Sequence, residues 1–415
     1  MLSAVVLLLL APPPDFGADD IPTTTASSST QGTFYLPRNE AAQLAAASVA
    51  RPGVEFSPGR GLKFSSRDRR FALSLGLRTG FIYSAREDDA GTAHALDLRR
   101  LRLLLFGNVF GAHNKYYVQL AMAPRELDIQ DGVVHSSPVL DAYLRFDHLR
   151  DATVTIGQYR VPFSRERNVS DVNPLLVDRS LANAEFNLDR DIGVAAHSDD
   201  LAGLGRLRYH AGVFMGEGRD TGRFTDGGLL YVARADFLPF GMFDDYESSD
   251  LSRLRRFRAS FGAAYAFHDR TRKDRGTFGD MFADGGTATS HNATADATFK
   301  WRGWSLDAAY HWRRGFRTPG DLAPAIAARN GHGWTVQTAV LIPRTRLEPA
   351  FRHAGVRGLG TTSLPDRDEL GGGLNYYFFG HNLKLQLDWF HTWTRPHGGP
   401  RVADDLVRLQ LQVNL

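Results

Sequence analysis

Alternation of apolar and polar residues dominates the chain from Phe71 onward. Within residues 71–83, one face carries the apolar side chains Phe71, Leu73, Leu75, Leu77, Phe81 and Tyr83, and the other carries Ala72, Ser74, Gly76, Arg78 and Gly80. The pattern recurs about sixteen times, with clear examples at 256–267, 292–301, 304–313 and 407–415. Because side chains alternate between the two faces of a strand, this period of two predicts an all-β protein.

The apolar faces carry no charged residue, whereas the opposite faces do. In residues 382–389, Leu383, Leu385, Leu387 and Trp389 alternate with Lys384, Gln386 and Asp388. Segments of about nine to eleven such residues match strands that cross a bilayer, where every backbone group must be paired and the sheet must close. The sequence therefore predicts a transmembrane antiparallel β-barrel of about 16 strands. A soluble β-sandwich or propeller, with strands of similar spacing, is the alternative.

Aromatic residues and connection lengths support the barrel. The aromatic residues at the ends of the apolar faces, which are typical of interfacial girdles, are Tyr83, Phe267, Trp301, Trp304, Trp312, Trp334 and Trp389. Long connections, near 84–97, 124–138, 160–190, 217–228, 268–291, 314–332, 354–368 and 394–405, alternate with short ones. Short turns on one side and long loops on the other are the outer-membrane pattern. Only the connection 238–255 is longer than its place in this alternation predicts.

The N-terminal residues predict export. Residues 2–11 are an apolar run that is too short to span a bilayer but matches the apolar region of a signal peptide, assigned to residues 1–18. Residues 19–52 include a polar, low-complexity stretch, so we expect a disordered or short-helical periplasmic segment. Residues 53–415 are assigned to the barrel in the bacterial outer membrane, surrounded by its lipid.

Composition and charge limit the kinds of site that the chain can form. The 415 residues include no cysteine, which excludes disulfides and thiolate metal sites. The formal net charge is only +3, yet on inward-facing strand positions basic residues outnumber acidic ones by roughly two to one. The basic residues that we expect to line the pore are Arg78, Arg145, Arg234, Arg313 and Arg352, with Lys115, Lys300 and Lys384 near the periplasmic mouth. Such a wall favours anions, although arginine–carboxylate ladders that only satisfy one another would look the same.

The longest connection, the third long loop, is predicted to fold into the lumen, because about thirty residues without secondary structure are unusual unless functional. It carries Arg160, Arg165, Arg167, Arg179 and Arg190, with Glu166, Asp171, Asp178 and Asp189 as the counterweight. Guanidinium groups bind oxyanions bidentately, so an inward loop would present them to phosphate.

Several segments together resemble one family. They are 71–83, Arg99-Arg100-Leu101-Arg102-Leu103, 140–146 (LDAYLRF), 156–164 (IGQYRVPFS), 178–182 (DRSLA) and 189–194 (DRDIGV). In this order they resemble the phosphate-selective porin O and P family, over roughly residues 53–415 and most specifically between 70 and 195. The resemblance implies a homotrimer of sixteen-stranded barrels, an arginine ladder that draws phosphate to a constriction, and lysines at the periplasmic exit.

The resemblance and the side-chain parity place a set of arginines at the constriction. Those expected to bind the anion are Arg100, Arg102, Arg160, Arg165, Arg179 and Arg190, whereas parity leaves the direction of Arg99 open. The chain departs from the family at inward-facing Leu104 and Phe106, and in having only three lysines at the exit.

The sequence contains no motif that indicates catalysis or metal binding. It contains no H-E-x-x-H, P-loop or G-x-S-x-G motif and no histidine pair spaced for a metal, so no enzyme, cofactor, metal or nucleic-acid partner is predicted. Inward Leu104, Phe106 and Phe214 leave open a plugged barrel with a structural or adhesive role. The sequence favours a porin that passes small anions passively, with phosphate or polyphosphate as the leading candidate.

Overall fold

The computed structural model describes residues 53–127, 129–130, 133–134, 137–220, 228–396 and 399–415. The expected signal peptide (1–18) and N-terminal segment (19–52) lie outside these residues. The strands are β1 Gly53–Ser57, β2 Gly61–Ser65, β3 Ala72–Asp88, β4 Gly91–Asn108, β5 Asn114–Ala121, β6 Ile129–Gln130, β7 Val133–Val134, β8 Val139–Leu149, β9 Ala152–Arg160, β10 Arg190–Ser198, β11 Leu207–Phe214, β12 Leu230–Phe237, β13 Arg258–Thr271, β14 Thr287–Trp301, β15 Trp304–Thr318, β16 Gly331–Val340, β17 Leu347–Gly358, β18 Asp366–Phe379, β19 Leu383–Arg395 and β20 Val402–Asn414.

Sixteen of these strands, β3–β5 and β8–β20, form one closed antiparallel barrel. Each pairs with the next in sequence, and β20 returns to β3, where Leu409 lies opposite Tyr83 and Asn414 opposite Arg78. Closure pairs the strand edges, as the hydrocarbon core of a membrane requires. The predicted sixteen-stranded barrel is therefore confirmed.

The strand faces have the polarity of a membrane barrel. On β13, Phe261 and Tyr265 point outward with 44% and 47% of their surface exposed, whereas Ser260, Gly262 and Ala264 point inward and are buried. A soluble sandwich would bury the aromatic face instead. The apolar belt thus lies on the outside of the barrel, and the polar face surrounds the lumen.

One predicted loop is almost entirely strand, and the two ends of another belong to strands. Residues 84–97 belong to β3 and β4, which continue to Asp88 and Gly91 and leave a two-residue turn. Likewise β13 and β14 extend into the predicted loop 268–291, as far as Thr271 and from Thr287. The period-two signal ends where the strands leave the apolar layer, but backbone pairing does not need an apolar face. The loop prediction was wrong at these two places for that reason.

A short hairpin, β1–β2, extends the wall at the side of the short turns. Strand β2 pairs with the first residues of β3, from Leu62 opposite Leu75 to Ser65 opposite Ala72. Beyond these residues β3 pairs with the chain end instead, where Leu77 N donates to Leu415 O at 3.1 Å. The hairpin therefore pairs with the first residues of β3, which β20 does not reach.

Two connections fill the lumen. Residues 161–189, here loop L3, contain helices α1 (Arg165–Asn168) and α2 (Leu181–Phe186), which are N-capped by Ser164 and Ser180. Loop L3 is buried along most of its length, which agrees with the predicted inward fold. Among the described residues, no helix has the length and apolar character needed to cross a membrane.

The second lumen connection comes from the opposite side. Residues 238–257, here segment T4, form the fourth of the turns that connect strands on the short-turn side, and Leu238, Asp245 and Tyr246 within it are buried. The unexplained length of this connection in the sequence is the length needed to enter the barrel. L3 and T4 therefore meet inside the lumen.

Candidate functional site

A β-bulge turns two neighbouring arginines toward loop L3. Strand β4 carries one extra residue, because Gly80 and Phe81 of β3 pair with Arg100 and Leu98. The guanidinium of Arg99 forms an ion pair with the Asp178 carboxylate, and Arg100 Nη1 donates to the Asp171 carbonyl at 3.2 Å. A bulge places two successive residues opposite one, so simple parity fails here.

Three guanidinium groups share the carboxylate of Asp171 in L3. Arg160 Nη2 donates to it at 2.6 Å and Arg179 Nη2 at 2.7 Å, and Arg102 forms a third ion pair. Burial raises the pKa of Asp171, but the guanidinium groups of Arg160, Arg102 and Arg179 outweigh burial and hold it well below the ordinary range. Asp171 is thus a fixed negative charge within the predicted anion site.

Asp178, seven residues after Asp171 in L3, binds a second group of arginines. Its carboxylate pairs with Arg99 and Arg408, and its carbonyl accepts from Arg352 Nη1 at 2.6 Å. Its side chain keeps 40% of its surface exposed. A small cavity lies beside it, lined in part by Glu166, Asp178, Arg179, Ser248 and Gln337. This cavity lies where L3 and T4 approach each other.

A third cluster joins L3 to T4 and the wall. Arg165 of α1 pairs with Asp245 of T4, with Asp296 at 2.6 Å and with Asp236 at 3.0 Å. Arg208 also binds Asp245, with Nη1 donating at 2.8 Å. Burial raises the pKa of Asp245, but Arg208 and Arg165 hold it well below the ordinary range. These charges are almost completely buried.

A fourth cluster surrounds Glu185 of α2 on the long-loop side. Arg313 binds its carboxylate at 2.5 Å, and Arg329 and Arg367 bind it at 2.7 Å each. Burial raises the pKa of Glu185, but these three guanidinium groups lower it to about 2. A small cavity beside Arg313 and Arg329 is also lined by Lys273. Positive charge exceeds negative charge at this cluster.

The three lysines expected at the periplasmic mouth occupy different environments. Lys300 Nζ donates to the carbonyls of Asp244 and Ser249 at 2.8 Å each, and Lys384 Nζ donates to the Pro174 carbonyl at 3.0 Å. Both lysines are buried. Lys115 pairs with Asp147 at 2.6 Å and is 30% exposed. Two of the three therefore hold T4 and L3 in the lumen.

The remaining predicted residues lie on the inner wall. Arg190 forms a bidentate pair with Asp141, with both distances at 2.9 Å. Arg145 lies over the Tyr143 ring, and Arg234 pairs with Asp236 and Asp296. Arg78 is buried on β3 opposite Arg102 in register.

The predicted anion-binding arginines thus divide among three groups. Arg100, Arg102, Arg160 and Arg179 meet around Asp171, whereas Arg165 belongs to the T4 cluster and Arg190 to the pair with Asp141. Their guanidinium groups all contact protein oxygen atoms, so an incoming anion must exchange with those contacts.

Sequence reasoning missed the acids of T4 and left the direction of Arg99 open. Counting strand positions alone overstates the positive charge of the lumen, because L3 and T4 bring carboxylates such as Asp171 and Asp245 to the arginines. The signals available were the excess length of residues 238–255 and their acidic content.

Apolar residues on inward positions narrow the interior further. Leu104 and Phe214 are almost completely buried, and Phe106 packs against Tyr117 with ring centroids 6.2 Å apart. Among the described residues, no group of three or more histidine, aspartate or glutamate side chains is arranged to hold a metal ion. The chemistry of this interior is ion pairing between arginine and carboxylate.

Comparison with known proteins identifies the sequence family. The family described as phosphate-selective porin O and P matches residues 71–317, more than half of the chain. No curated protein matches the chain at a significant level.

Solved structures match the fold. An anion-selective porin from Comamonas acidovorans aligns with a TM-score of 0.56 at 12% identity, covering 83% of this chain and 99% of that one. The outer-membrane channel DcaP of Acinetobacter baumannii gives 0.55 at 12% identity, with coverages of 83% and 97%. OprB of Pseudomonas putida gives 0.53 at 8% identity, with coverages of 83% and 94%. At such identities the likeness concerns the barrel itself.

Proposed function

Because the chain belongs to the phosphate-selective porin O and P family and is a porin of the bacterial outer membrane, we propose that it conducts small anions passively, with phosphate or polyphosphate as the leading substrate. The proposal extends to a homotrimer, to removal of residues 1–18 on export and to a periplasmic segment of residues 19–52.

One observation carries the anion preference. In the described part of the chain, seven guanidinium groups bind just two residues of L3, Asp171 and Asp178; they belong to Arg99, Arg100, Arg102, Arg160, Arg179, Arg352 and Arg408. Glu126, Glu369 and Asp388 compensate part of this charge. Positive groups concentrated in a low-dielectric lumen attract anions and repel cations.

The mechanism is capture followed by exchange between arginines. A guanidinium fork binds an oxyanion in the same bidentate way as it binds a carboxylate, so phosphate can replace Asp171 or Asp178 at one arginine while the next remains paired. The loop carboxylates compete with the ion, which keeps binding weak enough for release. Conduction requires several such shared sites rather than one tight site.

The test is the chloride current of the purified protein in planar bilayers, measured with increasing inorganic phosphate. Phosphate should inhibit the chloride current, and the triple variant Arg100→Gln, Arg102→Gln, Arg179→Gln should lose the inhibition. Since that variant leaves Asp171 without two guanidinium partners, the matched control adds Asp171→Asn to restore local neutrality. Phosphate inhibition that is unchanged in both variants would reject these residues as the site.

A second candidate function is a plugged barrel with a structural or adhesive role. The filling of the lumen by L3 and T4, with most inward charges buried, favours this reading. Single-channel recording distinguishes the two functions, because a permanently plugged barrel gives no conductance steps whereas a porin does.

The proposed assembly and processing have their own tests. Light scattering of the detergent-solubilised protein should give the mass of three chains, and N-terminal sequencing of protein taken from outer membranes should begin near residue 19. A single-chain mass or an intact first residue would remove those parts of the proposal.

A further inference from the structure

Segment T4 is held in the lumen at several points. Lys300 binds the carbonyls of Asp244 and Ser249, and His381 Nε2 lies 2.8 Å from Glu247 Oε1. The Asp250 carboxylate accepts from Gly303 N at 2.7 Å in the neighbouring turn. Most of these contacts use backbone atoms or neutral partners near the turn side of the barrel. Asp245 of T4, in contrast, reaches the buried arginines with its charge.

The Asp245 carboxylate accepts from Arg165 Nη1 and from Nη1 and Nη2 of Arg208, and Ser260 Oγ donates to it at 2.7 Å. The two arginines come from different parts of the structure, Arg165 from L3 and Arg208 from β11. The ring of Tyr246 lies 5.3 Å and 5.4 Å from their guanidinium carbons.

The environment of Asp245 is that of a bound oxyanion. Two oxygen atoms are bound by a guanidinium fork, by a second guanidinium and by a hydroxyl, all almost completely buried. Arginine forks bind carboxylate and phosphate in the same geometry. The other carboxylates of the cluster, Asp236 and Asp296, lie on strands β12 and β14 and cannot leave the wall. Asp245 instead lies in T4, outside the strands.

We propose that Asp245 is an internal anion that holds the lumen closed, and that an inorganic oxyanion such as phosphate displaces it from Arg165, Arg208 and Ser260 and so releases T4. The inference rests on the proposed function, since it requires that anions enter the lumen. It adds a release of T4 by an anion at the site that Asp245 occupies at rest. The same phosphate still reduces the chloride current, because it competes with chloride for the arginines around Asp171 and Asp178. Arg165 links the release of T4 to L3, because the same guanidinium bridges both connections.

The first experiment compares single-channel recordings of the full-length protein and Asp245→Asn. Without its charge the side chain no longer competes for the arginines, so Asp245→Asn should raise the mean conductance several-fold in phosphate-free KCl. The matched control is Asp284→Asn, which removes a carboxylate that is bound by the Arg317 fork at the outer loops and is equally buried. This control should conduct as the wild type does.

The second experiment reports the position of T4 without changing Asp245. Because the chain has no cysteine, Ser248→Cys introduces a single thiol at a buried position of T4. Millimolar phosphate should accelerate its modification by a charged thiol reagent about tenfold or more, since breaking a buried ion pair strongly shifts its equilibrium. Chloride at equal ionic strength should not. This thiol measurement keeps Asp245 unchanged, so it tests the proposal even if the variant Asp245→Asn does not fold.

The outcomes separate the two proposals. A phosphate-independent thiol rate, or wild-type conductance in folded Asp245→Asn, overturns the role of Asp245 while leaving anion selectivity intact. A cation-selective wild-type channel instead overturns the proposed function. Phosphate-accelerated modification together with a raised conductance in Asp245→Asn supports the closure by Asp245.

Discussion

Arg165 of loop L3 and Asp245 of segment T4 form an ion pair inside the barrel, although their segments enter the lumen from opposite sides. Arg165 also binds Asp236 and Asp296 of the wall. A charge buried at this depth is stable only when it is paired and hydrogen-bonded. The pair therefore fixes both connections to each other and to the strands.

Removing the carboxylate of Asp171 should strengthen phosphate binding. Asp171→Asn deletes the anion that competes for Arg102, Arg160 and Arg179, so phosphate should inhibit the chloride current at a several-fold lower concentration. Asp147→Asn, which removes the carboxylate beside the partly exposed Lys115, serves as the control and should leave the inhibition unchanged. Weaker inhibition in Asp171→Asn would contradict a competing role for this carboxylate.

Docking of helix α2 should depend on acid pH in a defined direction. The pKa of Glu185 is lowered from 4.5 to about 2, so its contribution is complete above pH 4.5 and is lost as the pH falls toward 2. The contribution is roughly 3 kcal/mol by linkage. Glu185→Gln should reproduce the acid state at neutral pH.

Amide hydrogen exchange of residues 181–186 measures this docking. Exchange should be slow in the wild type from pH 7 to 4.5, after correction for the intrinsic rate, and faster in Glu185→Gln at pH 7. Asp274→Asn, which alters a carboxylate 3.6 Å from the same Arg329, should show the wild-type protection. Protection that is lost already near pH 6 would show that a different group controls the docking.

The buried lysines should affect stability more than selectivity. Lys384→Met removes the donor to the Pro174 carbonyl and leaves that oxygen without this hydrogen bond in a buried place. The expected cost is about 1–3 kcal/mol in the free energy of unfolding. Lys115→Met breaks a partly exposed ion pair and should cost less than about 1 kcal/mol.

Denaturant-induced unfolding in detergent, followed by tryptophan fluorescence, gives both free energies. Equal losses for the two variants, or a change in the chloride-to-potassium permeability ratio in Lys384→Met with unchanged stability, would assign Lys384 to the ion path instead of to the support of L3.

The sequence predicted the barrel because strand periodicity and face polarity are local properties. Charge-free apolar faces alternating with polar ones can be read in any strand, as at Phe261 and Tyr265. The bulge at Arg99 could not be read, because an extra residue changes parity without changing composition. The loop predicted at residues 84–97 was wrong because strand pairing continues beyond the apolar layer.

The pairing within the lumen could not be predicted because it joins residues far apart in the chain. Arg165 meets Asp296 across 131 positions, and Arg408 meets Asp178 across 230. Strand parity places the arginines inward, but only the path of L3 and T4 decides which carboxylates they meet. The length of residues 238–255 indicated an unusual connection without indicating where it goes.

Anion selectivity of the pore is measured by the reversal potential of the purified protein in a KCl gradient, and competition at the arginines by the chloride current with and without phosphate. Chloride should be more permeant than potassium, and added phosphate should reduce the chloride current, since both anions use the arginines around Asp171 and Asp178. A reversal potential closer to the equilibrium potential of potassium than to that of chloride would contradict anion selectivity. A chloride current that phosphate leaves unchanged would contradict competition at these arginines.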